Sequence, residues 1–211
     1  MTIASADITA VILAGGLARR MGGVDKGLQL LHGQPMVQQV LHRLQPQVGQ
    51  VLINANRHLD DYERLGVPVC SDVVSGYAGP LAGIHAAMLV IDTPYLLSAP
   101  CDSPLLPIDL VSRLSSALAE HQADAAVVVT GDGNQQQRHP VFLLLRSDLR
   151  SSLEQYLNQG QRKVDDWLAS LNCVEVPFDD EGAFVNLNTP EDIQVLLNVS
   201  TKIPGSRPAP G

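Results

Sequence analysis

Aromatic residues are scarce in this chain, 4% of the whole. The core must therefore be built from Leu, Val, Ile and Ala. Cysteine is scarcer still. Cys70, Cys101 and Cys173 are odd in number and far apart, and no C-x-x-C occurs, so neither a disulfide framework nor a zinc site is indicated. All three read as small core or near-core residues of a chain in a reducing compartment. Positive charge is in deficit, 14 Lys and Arg against 22 Asp and Glu, a net −8. That balance argues against a general nucleic-acid binder or a membrane-surface protein. It leaves room for a nucleotide substrate, which needs only a local cationic pocket and usually a metal. No apolar run reaches bilayer-spanning length, and Met1 to Asp7 lacks the basic and apolar segments of a signal peptide. A cytoplasmic protein is expected. No internal repeat is present.

What remains is a globular pattern: 211 residues, 45% hydrophobic and 17% charged. That length suits one domain, expected over residues 1–199, with the Pro-, Gly- and Ser-rich 200–211 as a disordered tail. Short apolar strands are expected at 8–13, 50–55, 67–70, 95–99, 124–130, 141–145 and 173–177. Helices are expected at 36–44, 59–65, 81–91, 108–120, 149–157 and 164–171. Another should start at Thr189-Pro190, with Thr189 as cap and Pro190 as first helical residue. Pro35 is placed to start the helix at 36–44. Strands alternating with helices over the first two thirds predict an α/β fold: a mostly parallel central sheet, helices on both faces, and a small antiparallel hairpin formed by 124–130 and 141–145.

The chain is organised around its first strand and the loop after it. Ala10 to Leu13 runs into Gly15-Gly16, then Arg19-Arg20, Gly22-Gly23 and Lys26-Gly27. Glycine lets amide N–H groups approach an anion closely, and Arg and Lys supply charge, so this is a phosphate grip. It is not the P-loop, because Lys26 is followed by Gly27 and not by Ser or Thr. It is not the dinucleotide fingerprint either, since no G-x-G-x-x-G follows the strand. In open parallel sheets, ligands bind at the carboxyl ends of the strands. The later strand ends carry Asn54, Asp72 and Asp102, and Asn186 and Asn188 lie on a short extended segment that can join them.

Five stretches then occur in one order: LAGGLARRMGGVDKGL from Leu13, INANR at 53–57, GPLAGI at 79–84, PCDSP at 100–104 and NLNTPED at 186–192. Together they resemble the molybdenum cofactor guanylyltransferase (MobA-type) family, over residues 8 to about 197. The resemblance implies a Rossmann-like nucleotidyltransferase fold and a reaction between GTP and the terminal phosphate of molybdenum-bearing molybdopterin. The products are the guanine dinucleotide form of the cofactor and pyrophosphate. A phosphate monoester has a second pKa of about 6, so the acceptor is largely deprotonated at neutral pH and needs no general base. The strand ends accordingly carry no His, no Ser–His pair and no activated Cys. Catalysis then rests on in-line positioning and charge neutralisation.

The roles follow from the resemblance. Backbone amides of Leu13, Ala14, Gly15 and Gly16 cradle the triphosphate. Arg20 and Lys26 neutralise phosphates and leaving pyrophosphate. Asp102 holds Mg2+, a hard cation suited to carboxylate and phosphate oxygens. Lys26, Asn54, Asp72 and Asp102 carry over as GTP-binding positions. Asn54 and Asp72 can also serve base or ribose recognition, while Asn186 and Asn188 match a motif near acceptor and metal. Other cofactor-assembly proteins and apo-molybdoenzymes are implied as protein partners, with no nucleic acid and no membrane. Several residues keep two readings: Arg19 as surface charge or acceptor contact, Asp72 as turn cap or ligand, Arg138 and His139 as structural or acceptor-binding, Arg162-Lys163 as exposed pair or phosphate contact. Pro80, Leu81 and Gly83 read as residues that only shape their loop. Competing functions are a transferase using CTP on the same pterin, one acting on a sugar phosphate, and a non-catalytic nucleotide-binding regulator.

Overall fold

The computed structural model describes residues 2–16, 25–74, 79–187 and 192. The expected helix from Pro190 and the tail at 200–211 lie outside these residues, apart from Asp192. The strands are β1 (Ile8–Leu13), β2 (Leu30–Leu31), β3 (Gln34–Pro35), β4 (Gln50–Asn54), β5 (Val69–Cys70), β6 (Tyr95–Pro100), β7 (Ala125–Thr130), β8 (Gln137–Arg146) and β9 (Cys173–Phe178). The helices are α1 (Met36–Leu44), α2 (Leu59–Glu63), α3 (Pro80–Met88), α4 (Leu110–Glu120), α5 (Arg150–Asn158) and α6 (Val164–Leu168).

Seven strands form one sheet in the order β5-β4-β1-β6-β8-β7-β9. All pairings are parallel except those of β8, which runs antiparallel to both β6 and β7. The expected hairpin is thus β7–β8, but its second strand is ten residues long and sits inside the sheet. An interior strand tolerates Pro140 because the β7–β8 register slips between Val127 and Val128, whose partners are Leu143 and His139. Ser98 Oγ, fully buried on β6, donates to the Val141 carbonyl in that bulge at 2.6 Å. Among the described residues the sheet edges are β5, two residues long, and β9, which carries Pro177.

Alternating side chains divide the core between the two faces. Ile8, Ala10 and Ile12 of β1 point to a cluster with Val37, Val40, Leu41 and Leu44 of α1, Tyr62 of α2, and Leu110, Val111, Leu114 and Leu118 of α4. Val11 points the other way, to Leu81, Ile84, Ala87 and Met88 of α3 and to residues of α5 and α6. α1 forms because apolar residues recur at helical spacing on one side, and it gives way to a 3-10 turn at Gln45–Gln47 around Pro46. Pro35 precedes this helix as its N-cap and pairs in β3, instead of serving as its first residue. The turn before it is His32-Gly33, both with positive φ, the geometry of a tight two-residue hairpin. α3 is buried from Leu81 through Met88, so it is a core helix apolar nearly all round. No helix among the described residues is long and apolar enough to cross a membrane.

Within α3 one residue breaks the pattern. His85 is buried, and neither ring nitrogen has a hydrogen-bond partner among the described residues. Burial lowers its pKa from 6.5, partly opposed by Glu154, with Arg150 acting in the same sense as burial. A histidine held neutral in the fold takes up a proton more readily when unfolded. Its contribution to stability is complete above the ordinary value of 6.5 and is lost as pH falls through the lower folded value. The loss of melting temperature between pH 7.5 and 5.5 is therefore expected to be smaller in His85→Leu than in wild type, as followed by thermal circular dichroism. Parallel pH profiles would remove His85 as a source of acid sensitivity.

Candidate active site

The carboxyl ends of β1, β4, β5 and β6 lie side by side, and the hydrogen-bond ladder runs one residue past each strand. Ala14 N donates to Asn54 O (2.8 Å), Ala55 N to Cys70 O (2.9 Å) and Cys101 N to Leu13 O (3.1 Å). This continuation holds Leu13 to Gly16 and the residues after Asn54, Cys70 and Pro100 along one edge. β1 lies between β4 and β6, so the chain leaves it in opposite directions here, and such a reversal opens a crevice.

One half of the edge is a carboxylate clamped by two amides. Asn54, 2% exposed, donates through Nδ2 to Asp72 Oδ1 at 2.9 Å. Asn56 Nδ2 donates to Asp72 Oδ2 at 2.8 Å, and Asn56 Oδ1 accepts from Asp72 N at 2.9 Å. Both carboxylate oxygens are thus taken by side-chain donors, which fixes the plane of Asp72. This clamp replaces the plain turn-cap reading. The carboxamide of Asn54 sits under two glycines. A Cβ on Gly15 would lie 3.0 Å from Asn54 Oδ1 and 2.8 Å from Asn56 Nδ2. One on Gly83, in α3, would collide with Asn54 Oδ1 and meet Leu13 Cδ2 at 2.7 Å. Gly83 therefore does more than shape a loop. Beside the clamp, Arg57 Nη2 donates to Gly16 O at 3.2 Å.

The other half is an ion pair. Lys26 Nζ lies 3.4 Å from Asp102 Oδ2. Asp102 is 8% exposed. Burial pushes its carboxyl above the usual carboxylate range, and the Lys26 ammonium pulls it part of the way back. Leu187 N donates to the Asp102 carbonyl at 2.9 Å, and Ser103 Oγ donates to Asn186 Oδ1 at 2.7 Å. These two bonds bring Asn186 beside Asp102. Behind Lys26, the buried carboxylate of Asp25 accepts from Tyr62 Oη at 2.6 Å and Gly27 N at 3.1 Å. No group of three or more His, Cys, Asp or Glu gathers among the described residues. A cation at Asp102 would meet one hard, anionic oxygen donor and draw its other ligands from phosphates and water, which is how Mg2+ is usually held. The donor set fits that ion.

The structure thus gathers Leu13, Ala14, Gly15, Gly16, Lys26, Asn54, Asp72, Asp102 and Asn186 along adjoining strand ends. Arg20 and Asn188, like Arg19, lie outside the described residues. Other residues with two readings have structural partners. Arg138 pairs with Glu175 and Asp165. His139 lies 2.8 Å from Thr130 Oγ1 and packs against Phe142 and Phe184. Arg162 donates to the carbonyl of Leu157 at 2.8 Å, near the end of α5. The cysteines match their expected inert character: burial pushes the Cys70 and Cys173 thiols up to about 11, and buried Cys101 also titrates well above the usual range. Sequence reasoning gave no role to Asn56, Asp25 or Tyr62. Asn56 and Asp25 lie inside quoted motifs, where a polar residue past a strand end or next to the lysine was the available signal. Tyr62 lies in none.

Comparison with known proteins defines the class. Residues 10–174 match the family described as "MobA-like NTP transferase domain", which makes the chain a nucleotidyltransferase enzyme. It is 53% identical over 199 residues to a molybdenum cofactor guanylyltransferase of Ralstonia nicotianae, covering 92% of this chain and 98% of that relative. It is 51% identical over 199 residues to one of Shewanella sediminis, covering 94% and 100%. The crystal structure of molybdopterin-guanine dinucleotide biosynthesis protein A from Archaeoglobus fulgidus superposes with a TM-score of 0.74 at 26% identity, covering 93% of this chain and 100% of that one. The chain belongs to the molybdenum cofactor guanylyltransferase family.

A mid-helix Gly→Ala change ordinarily stabilises a helix by about 1 kcal/mol. At Gly83 the collision with Asn54 decides the outcome. Gly83→Ala is expected to keep its fold and lose about tenfold in nucleotide affinity by calorimetry, because the Asn54–Asp72 pair is displaced. Unchanged affinity would mean that Asn54 can move without consequence.

Proposed function

We propose that this protein transfers GMP from GTP to the terminal phosphate of molybdenum-bearing molybdopterin, forming the molybdopterin guanine dinucleotide cofactor and pyrophosphate. The Lys26–Asp102 pair, held against the glycine-lined end of β1, carries this reading. A protein that only bound nucleotide would have no need of a desolvated carboxylate beside the phosphate loop. Family membership supports the choice of donor and acceptor.

In the reaction an oxygen of the acceptor phosphate forms a bond to the α-phosphorus of GTP. The bond from that phosphorus to the β-phosphate oxygen breaks, and pyrophosphate leaves with the electron pair. No proton has to be removed from the nucleophile. The protein's task is to align the two phosphates and offset their charge. Amides of Leu13 to Gly16 cradle the triphosphate, and Lys26 neutralises charge on the departing pyrophosphate, with Arg20 assigned the same task. The clamped Asp72 carboxylate and Asn54 face the nucleoside, where an acidic acceptor suits the N–H donors of guanine. Asn186 and Asn188 are assigned to the acceptor side. Asp102 would hold Mg2+, which when bound supplies further charge neutralisation for the triphosphate. Other cofactor-assembly proteins and apo-molybdoenzymes are the protein partners this role requires, in the cytoplasm.

Purified protein given Mg2+, GTP and molybdopterin is expected to release pyrophosphate and to stop when EDTA is added. Equal turnover with CTP would overturn the assignment of guanine, and turnover with a sugar phosphate would overturn that of the acceptor. Asp102→Ala is expected to reduce turnover by on the order of 100-fold or more with an unchanged far-ultraviolet circular dichroism spectrum. Near-normal activity in that variant would refute the metal-binding role.

A further inference from the structure

We propose that Tyr62, a core residue of α2, is a positioning residue that sets the ammonium of Lys26 through the buried carboxylate of Asp25. The inference rests on the reading of Lys26 as the group that neutralises the nucleotide phosphates.

Lys26 stands between two anchored neighbours. Before it, Asp25 is 9% exposed, and its Oδ1 accepts from both the Tyr62 hydroxyl at 2.6 Å and the Gly27 amide at 3.1 Å. Tyr62 has no exposed surface and belongs to the large core cluster shared by β1, α1 and α4, so its hydroxyl is a fixed point. After it, the Gly27 carbonyl accepts from Val37 N at 2.9 Å, at the start of α1. Gly27 packs so closely that a Cβ there would lie 2.6 Å from Tyr62 Oη and 3.3 Å from Cys101 Sγ. The turn continues with Gln29 N donating to Lys26 O at 3.1 Å. The base of the lysine is therefore pinned to α2, α1 and the end of β6, and its Nζ reaches Asp102.

A lysine side chain is long and flexible, so a fixed root narrows where its charge can go. A buried carboxylate is a costly means of closing a turn unless its geometry matters. Its shared oxygen ties the residue before Lys26 and the residue after it to one phenol. Removing that phenol's oxygen leaves the packing of the ring in place and frees the turn.

The test uses the whole chain and four proteins: wild type, Tyr62→Phe, Lys26→Ala and the double variant. Affinities for GTP and GMP are measured by calorimetry, and turnover by pyrophosphate release. Tyr62→Phe is expected to weaken GTP binding about tenfold and GMP binding less than about twofold, because GMP lacks the outer phosphates. In the Lys26→Ala background, Tyr62→Phe should change GTP binding by less than about twofold, since residues acting through one another are not additive. Equal losses for GTP and GMP, or the same loss in both backgrounds, would make Tyr62 a merely structural residue. Should Tyr62→Phe fail to fold, Asp25→Ala serves in its place, with Asp25→Asn, which keeps an acceptor for both donors, losing less. If wild type neither binds GTP nor turns it over, the functional reading fails on its own. The side-chain ammonium resonance of Lys26 in 15N-labelled protein without ligand then decides the inference. A displaced or broadened signal in Tyr62→Phe supports it, and an unchanged one overturns it.

Discussion

A carboxylate with 8% of its surface exposed is the constraint to which the rest of the edge answers. Asp102 has been drawn out of water at the end of β6, and burial alone would drive it toward its protonated form. An ammonium 3.4 Å away opposes this. That cation comes from Lys26, 76 residues away in sequence, so the segment from Asp25 to Gln29 has to be held against the edge. Gly27 lets the loop pass against Tyr62 and Cys101, and the amides of Met36 and Val37, the first residues of α1, donate to the carbonyls of Gln29 and Gly27 and seat it. A part-buried ion pair of this kind does little for stability, because desolvation consumes most of the attraction. Its two charges, however, are stationed at the strand ends, off the end of β6.

The Asn54–Asp72 half of the edge follows a different physical rule. There the stationed group is again a carboxylate, Asp72, but its partners are neutral amides donating to each oxygen. Neutral clamps fix orientation without cancelling charge, so Asp72 keeps its acceptor character. The two halves are joined through β1 itself, whose last carbonyl and next amide bond to β6 and β4.

Much of this was legible in the sequence because it depends on local order. The strand Ile8–Leu13 and the helix Met36–Leu44 carry apolar patterns that no tertiary context had to correct. The ends of parallel strands must lie on one edge once the sheet forms, so Asn54, Asp72 and Asp102 could be grouped without coordinates. The place of β8 was not legible to the same degree. A ten-residue strand containing Pro140 reads as a shorter one, and only the slipped register with β7 accommodates it inside the sheet. The Asn56 clamp and the Tyr62–Asp25 bond were hidden for a related reason. Their partners are 16 and 37 residues away in sequence, and hydrogen bonds across such distances leave no periodicity. His85 shows the converse: an imidazole in an apolar helix gives no sign in sequence of whether a partner awaits it.

The edges of the sheet bear on how this protein can associate with copies of itself. Among the described residues, the edge strand β5 is two residues long, and β9 carries a proline near its end. A neighbouring chain seeking to extend the sheet would find too few amides and carbonyls on one side and a missing donor on the other. Fibrillar growth by strand addition is thereby discouraged in the native state. Among the described residues, association is left to helices and loops, surfaces that can form and dissolve without disturbing the strand ends.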